Sequence, residues 1–324
     1  MRVVAAVNGW PGDDAMGARA AAVAVAQVWS EASPGSAIEA LPVGDGGPRT
    51  ADAWAGERSL AGGAEVVTHG GAVWLTPAQG AARWNPLDVS AALLGLAAAG
   101  ATAPVVIPVG DVPPAGDAAD LWGGGLVAVR QALKGLDLVA LTTSRRPLLG
   151  FHGMSAALVD GREGDGALAA AAQAQEQRWV EISSEADAVA VRGSLVGPSR
   201  LSDQPGTGAA GGLAYALAAL GARIIPASHY LADASGLADA ATAADLVMGV
   251  GGDLTPSSLD EGVAASVAAV AARGGVPATM LSTAVNVGRR DLMAAGLSSA
   301  HEARHGRSGL ADGVRRVAQT WAPR

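Results

Sequence analysis

Apolar positions fall into short continuous runs punctuated by Gly, Pro and Asp, with Ala-rich stretches of helical character between them. Arg2–Val7 is one such run and stops at Asn8-Gly9. It predicts a buried first strand rather than the apolar region of a signal segment. A helix is expected over about 15–29, capped by Asp13 or Asp14, and a second strand over 38–43. Strand, helix, strand in that order predicts a parallel sheet with helices on its faces. Residues 66–75 alternate in the manner of a strand pair, 87–99 reads as helix and 104–109 as strand. A Pro/Gly/Asp stretch over 110–120 follows. Then come a helix over 126–133, a strand over 136–141 and an Ala/Gln-rich helix over 167–176.

Past Pro205 the pattern changes. A glycine loop over 206–212 leads into a helix over 213–220. A buried strand over 245–248 ends in Gly249-Val250-Gly251-Gly252. A helix over 263–273, a strand over 277–281 and a last helix over 309–321 complete the chain, with no fixed-period repeat.

Composition narrows the function classes. With 324 residues, half of them hydrophobic, the chain can bury a sizeable core and suits two domains better than one. A net charge of −8 argues against nucleic acid or an anionic membrane surface as the main partner. Nothing reaches the roughly 20 apolar residues of a membrane span. The absence of cysteine excludes disulfides, a thiolate nucleophile and Cys-liganded metal, and fits the expected cytoplasmic location. Every basic residue except Lys134 is arginine, so a mechanism needing several lysines is excluded. Lys134 itself precedes Gly135 and reads as a surface residue near a helix C-terminus.

Three short patterns could carry chemistry. Gly206-Thr207-Gly208-Ala209-Ala210-Gly211 matches G-x-G-x-x-G, in which glycines let backbone amides approach a phosphate. A dinucleotide fingerprint needs a strand directly before it, and Ser202-Asp203-Gln204-Pro205 reads as loop. An anion-binding or tightly packed glycine loop is therefore the better reading. His301-Glu302-Ala303-Arg304-His305 fits H-E-x-x-H, a zinc motif when both histidines share a helix face. The segment is short and polar, and no third ligand is evident, so a solvated helix end competes with zinc. Gly44-Asp45-Gly46-Gly47 follows a strand, where an aspartate faces either a ligand crevice or its own backbone.

Taken together and in this order, the motifs resemble the glycerate kinase family of bacterial type 1. Pro205-Gly206-Thr207-Gly208-Ala209-Ala210-Gly211-Gly212-Leu213 is close to the family's PGAGAAGGLG, and Ala244-Asp245-Leu246-Val247-Met248 to ADLVI. Leu41-Pro42-Val43-Gly44-Asp45-Gly46-Gly47 with Thr50 is similar to P-x-A-D-G-G-E-G-T. Pro147-Leu148-Leu149-Gly150 with Gly153 is similar to N-P-L-x-G-x-x-G-A. The resemblance implies an α/β protein of two domains. A parallel-sheet, Rossmann-like or flavodoxin-like domain over 1–60 with 238–324 would hold an inserted α/β domain over 61–237. It also implies ATP-dependent phosphorylation of glycerate or a related hydroxy acid, with ATP and Mg²⁺. The implied partners are a small hydroxy acid and a nucleotide, with room for a homodimer.

Under that resemblance the catalytic candidates are Asp45, Asp117 and Arg146. The nucleotide-binding candidates are Gly46, Gly47, Gly206, Thr207, Gly208, Gly211 and Gly212. Asp45 and the 206–212 loop are expected to face a common cleft. Several charged family positions differ: no lysine stands in the opening loop, and Pro48 and Arg49 replace Glu and Gly. After the ADLVI-like run, Gly251, Thr255, Ser257-Ser258 and Gly262 replace Glu, Asp, Gln-Thr and Lys. Arg145, Arg146 and Arg162 are candidates to supply the missing cations. The shaping glycines stay while the acting charges go. The expectation is a kinase fold with a degenerate site, the alternative being a non-catalytic homologue that binds a ligand or partner.

Overall fold

The structure, a computed structural model, describes residues 1–78, 80–162, 164–190 and 199–322. Among them eleven strands run in chain order: β1 Arg2–Val7, β2 Ala37–Pro42, β3 Arg58–Ala61, β4 Ala64–His69, β5 Ala72–Pro77, β6 Val105–Gly110, β7 Leu138–Thr142, β8 Arg223–Pro226, β9 Leu246–Val250, β10 Ala278–Ser282 and β11 Ser299–Glu302. The chain divides into two compact units. The first comprises Met1–Asp45, Asp52–Ala55 and Ala227–Arg324; the second comprises Gly46–Ala51 and Gly56–Pro226. Residues 227–237 thus fall in the first unit, and 46–51 and 56–60 in the second, whereas the sequence-based boundaries place them the other way round.

The first unit is built on a five-stranded sheet in the order β11-β10-β9-β1-β2, parallel throughout. That is the flavodoxin-like order, with its topological switch between β1 and β9. The central strands read as unbroken apolar runs because both their faces are covered. Every residue of Val3–Val7, Leu246–Val250 and Ala278–Ser282 is buried, whereas β2 at the edge alternates. Helices Ala18–Ala32 and Gly306–Trp321 pack on one face around Trp29, Leu310, Val314 and Val317.

Capping differs from expectation. Helix Ala18–Ala32 begins after Gly17, which offers no side chain. Asp14 instead accepts the backbone N–H of Arg307 at 3.1 Å, in the first turn of the last helix. A carboxylate there also meets the positive end of the helix dipole.

The second unit carries a six-stranded mixed sheet, β3-β4-β5-β6-β7-β8. β3, β4 and β5 form antiparallel pairs, and β5 to β8 run parallel. Strands β3, β8 and β11 fall outside the predicted set. Each has only four residues, too few to stand out as a run. Helix Gly166–Ala190 runs far past the predicted end at 176. Its buried positions Ala172, Trp179, Ser183 and Ala186 continue the 3.6-residue stripe.

With a single phenylalanine in the chain, tryptophan supplies the large core side chains. The indole N–H groups of Trp10, Trp29, Trp74, Trp84 and Trp122 find acceptors, as polar groups out of water generally do, while that of Trp321 has none among the described residues. Trp84 donates to Pro108 O at 2.7 Å and Trp29 to Ser36 Oγ at 2.8 Å. Among the described residues no helix is long and apolar enough to cross a membrane.

Candidate functional site

The carboxyl ends of β6 and β7 build the most developed site of the second unit. β6 ends at Gly110, which takes φ +61° and leaves no room for a Cβ, since one would lie 2.8 Å from the Gly47 Cα. This close approach seats the 46–50 turn beside the strand end. Gly46 sits at φ +87° there, and its N–H donates to Thr50 Oγ1 at 2.8 Å. Gly46 and Gly47 thus shape a turn that lies against Gly110, the residue before Asp111.

β7 ends at Thr142 and leads to Arg145 and Arg146, whose carbonyls accept the N–H groups of Gly206 and Gly208 at 3.1 and 3.0 Å. The glycine loop is thereby laced to the strand end. Ala210, Gly211 and Gly212 follow in left-handed conformation at φ 52°, 63° and 86°. Glycine adopts this at no steric cost, while Ala210 carries strain. Gly212 is also required by packing, because a Cβ would lie 2.6 Å from the Trp179 ring. A Cβ on Gly208 would overlap the Pro147 carbonyl.

Thr207 is fully buried, and its hydroxyl accepts the N–H of Leu148 at 2.9 Å while facing the carbonyls of Ser202 and Gln204. It holds the loop together. Below it a buried network continues: Ser202 Oγ and Tyr215 Oη each donate to the Asp187 carboxylate at 2.7 Å. Burial, and then the bond to Asp187, pushes the Tyr215 hydroxyl far above the usual tyrosine range.

These pieces surround a cavity of about 610 Å³. Its wall includes Asp111, Asp117, Arg146, Arg178, Gly208 and Gly211. Arg146 forms an ion pair with Asp111 at 2.8 Å, and the same carboxylate accepts the Ala210 N–H at 3.3 Å. Asp117 is paired with Arg178 and also caps the 3₁₀ turn Ala118–Trp122 through the Ala119 N–H. Guanidinium groups offer forked donors that fit a carboxylate or a phosphate.

Asp117, Arg146, Gly208 and Gly211 of the predicted set therefore share one cavity. Gly206, Thr207 and Gly212 shape the loop behind it without lining it. Asp45 lies in the first unit, exposed, after β2. Arg162 donates to Leu158 O of its own turn, and Arg145 lies outside the cavity wall. Arg178 was missed by the sequence reading. The continuing apolar stripe through Trp179 was the signal that would have extended the helix to include it.

The two competing motifs are decided by backbone. The residues before the glycine loop form the 3₁₀ turn Leu201–Asp203 rather than a strand, against a dinucleotide fingerprint. His301 and Glu302 end β11, and His305 starts the last helix, so the histidines share no helix face. This replaces both the zinc helix and the solvated helix end. Among the described residues, no group of three or more His, Asp or Glu is placed to hold a metal ion.

Thr255, at a position where the resemblance expects aspartate, is reused as a cap. Its Oγ1 accepts the Ser258 N–H at 3.3 Å, and Ser258 Oγ accepts the Thr255 N–H at 2.8 Å.

The chain is similar over its whole length to a solved structure provisionally named glycerate kinase 2 of Salmonella typhimurium LT2. The match has a TM-score of 0.64 at 18% identity and covers 99% of this chain and 98% of that one. Two uncharacterized proteins, of Mycobacterium bovis and Mycobacterium tuberculosis, are each 30% identical over 177 residues. That stretch is 55% of this chain and 44% of either relative, so the match spans less than half the length of these curated relatives. The model described as the Glycerate kinase family matches residues 121–321, more than half of the chain and inclusive of the glycine loop and Arg146. On that match, the chain belongs to the glycerate kinase family.

Proposed function

We propose that this chain is a divergent member of the bacterial type 1 glycerate kinases, whose second-unit cavity takes D-glycerate or a related small hydroxy acid while phosphoryl transfer is very weak. The observation that carries the reading is the Arg146–Asp111 pair on the cavity wall, joined by Arg178–Asp117 and bordered by Gly208 and Gly211. A guanidinium fork receives the carboxylate of a hydroxy acid, and an aspartate oxygen accepts from its hydroxyls.

Transfer of a phosphoryl group from ATP asks for more: cationic and metal clamps on the phosphates, and a carboxylate that orients the hydroxyl. Mg²⁺ needs oxygen ligands, commonly one or two carboxylates with waters and phosphates. The donor set of this cavity does not fit that ion, because Asp111 and Asp117 are each committed to a guanidinium, whose positive charge opposes a second cation at the same carboxylate. At the positions where the resemblance expects Glu, Asp and Lys stand Gly251, the capping Thr255, and Gly262 at φ +97°. These same commitments favour, as a second reading, a non-catalytic homologue that binds its ligand without turnover.

Calorimetric titration with D-glycerate tests the binding half. Saturable 1:1 binding, weakened about tenfold or more by Arg146→Gln, is expected from losing one charge-assisted contact. No binding to the folded wild-type chain would contradict it.

A further inference from the structure

The first unit holds a separate cavity of about 910 Å³ at the carboxyl ends of β10 and β11. Its size falls within the ~300–1,000 Å³ of small-molecule sites. Carboxyl ends of parallel strands are also where open α/β sheets place ligands. Thr283, Glu302, Arg304, Asp312, Arg315 and Arg316 are on its wall. Three guanidinium groups at one place stand out in a chain of net charge −8.

The protein itself uses little of their donor capacity. Asp312 meets Arg304 at 3.5 Å and Arg315 at 3.2 Å. Arg316 donates to the Glu302 carbonyl, while the Glu302 carboxylate accepts the Val285 N–H at 3.1 Å. Among the described residues, one nitrogen of each guanidinium is thus engaged, out of five N–H donors per group. The Arg304 side chain is 85% exposed and that of Asp312 53%. Ion pairs so open to solvent are weak and yield to a multiply charged anion.

Arg315 and Arg316 are neighbours on helix Gly306–Trp321, and Arg304 stands on the connection just before it. A phosphoryl group has enough oxygens to accept from several guanidinium forks at once. We propose that this cavity binds a phosphorylated small molecule through Arg304, Arg315 and Arg316. No residue of the second-unit cavity takes part, so the site stands or falls apart from the kinase reading.

The test is calorimetric titration of the full chain with inorganic pyrophosphate, beside malonate at matched ionic strength. The expected result is saturable 1:1 binding of pyrophosphate. It should weaken about tenfold or more in Arg304→Gln/Arg315→Gln and stay unchanged in Arg146→Gln. Both substituted arginines are exposed, and circular dichroism checks that the variant folds. The absence of saturable binding, malonate binding as tightly as pyrophosphate, or a loss confined to Arg146→Gln would each overturn the assignment.

Discussion

The carboxylate of Asp111 serves two masters at once: it pairs with Arg146 at 2.8 Å and accepts the Ala210 N–H at 3.3 Å. A residue from the end of β6 thereby fixes a cation from the end of β7 against the strained middle of the glycine loop. Asp111→Asn keeps the shape and removes the charge. Since about a third of each side chain is exposed, the stability loss should be modest, about 1 kcal/mol or less in urea unfolding. Glycerate binding should fall much further, because the freed Arg146 is no longer held in place. A large stability loss with intact binding would show the pair to be purely structural.

The glycines divide by their surroundings. Gly212→Ala places a Cβ at φ +86° and 2.6 Å from the Trp179 ring. It should cost about 2 kcal/mol or more. Gly251→Ala meets only the Asn8 Cβ at 3.7 Å, an ordinary contact, and should stay within about 0.5 kcal/mol of wild type. Denaturant midpoints of the two variants check this; equal losses would mean that the loop relaxes around a Cβ.

Tyr215→Phe removes a donor from the buried Asp187 carboxylate, which then retains the Ser202 contacts. The expected loss is about 1–3 kcal/mol, the cost of an unmet buried acceptor. Urea unfolding measures it, and a neutral result would imply that water enters in place of the hydroxyl.

Burial, and secondarily the charge of Arg316, holds the His301 imidazole below its usual range. A histidine whose folded-state pKa is depressed binds protons more readily when unfolded. Stability is therefore full above the ordinary value near 6.5 and declines as pH falls from there through the folded pKa. His301→Gln should flatten that part of the stability–pH curve. An unchanged curve would assign the acid loss to other groups.

Much of the frame was legible because buried parallel strands write themselves as apolar runs. Val3–Val7 and Leu246–Val250 are such runs, and they are neighbours in the first sheet. Ser299–Glu302 was not legible: it is short, polar and at an edge, where one partner strand suffices. The loop 206–212 announced itself through glycine. Its use as a tightly packed corner became clear only with Trp179 and Pro147 beside it. Asp14 illustrates the limit of local reading, since the helix that it caps lies nearly three hundred residues further on. Arg178 and Asp117, likewise, are brought together by tertiary structure, and no spacing rule joins them.

The central claim, a glycerate kinase fold with its phosphoryl-transfer chemistry largely lost, is tested most directly by a coupled ADP-release assay. The purified chain would be given D-glycerate, ATP and Mg²⁺, beside an Asp45→Ala variant. Losing one preorganised electrostatic contact commonly costs about 10²–10³ in rate, and the changes at Gly251, Thr255 and Gly262 need not add. The account predicts turnover below about 10⁻² s⁻¹, well under the ordinary enzyme range of about 1–10³ s⁻¹, and no further change in the variant. Turnover near 1 s⁻¹ or above, abolished by Asp45→Ala, would contradict it and show a rebuilt active site.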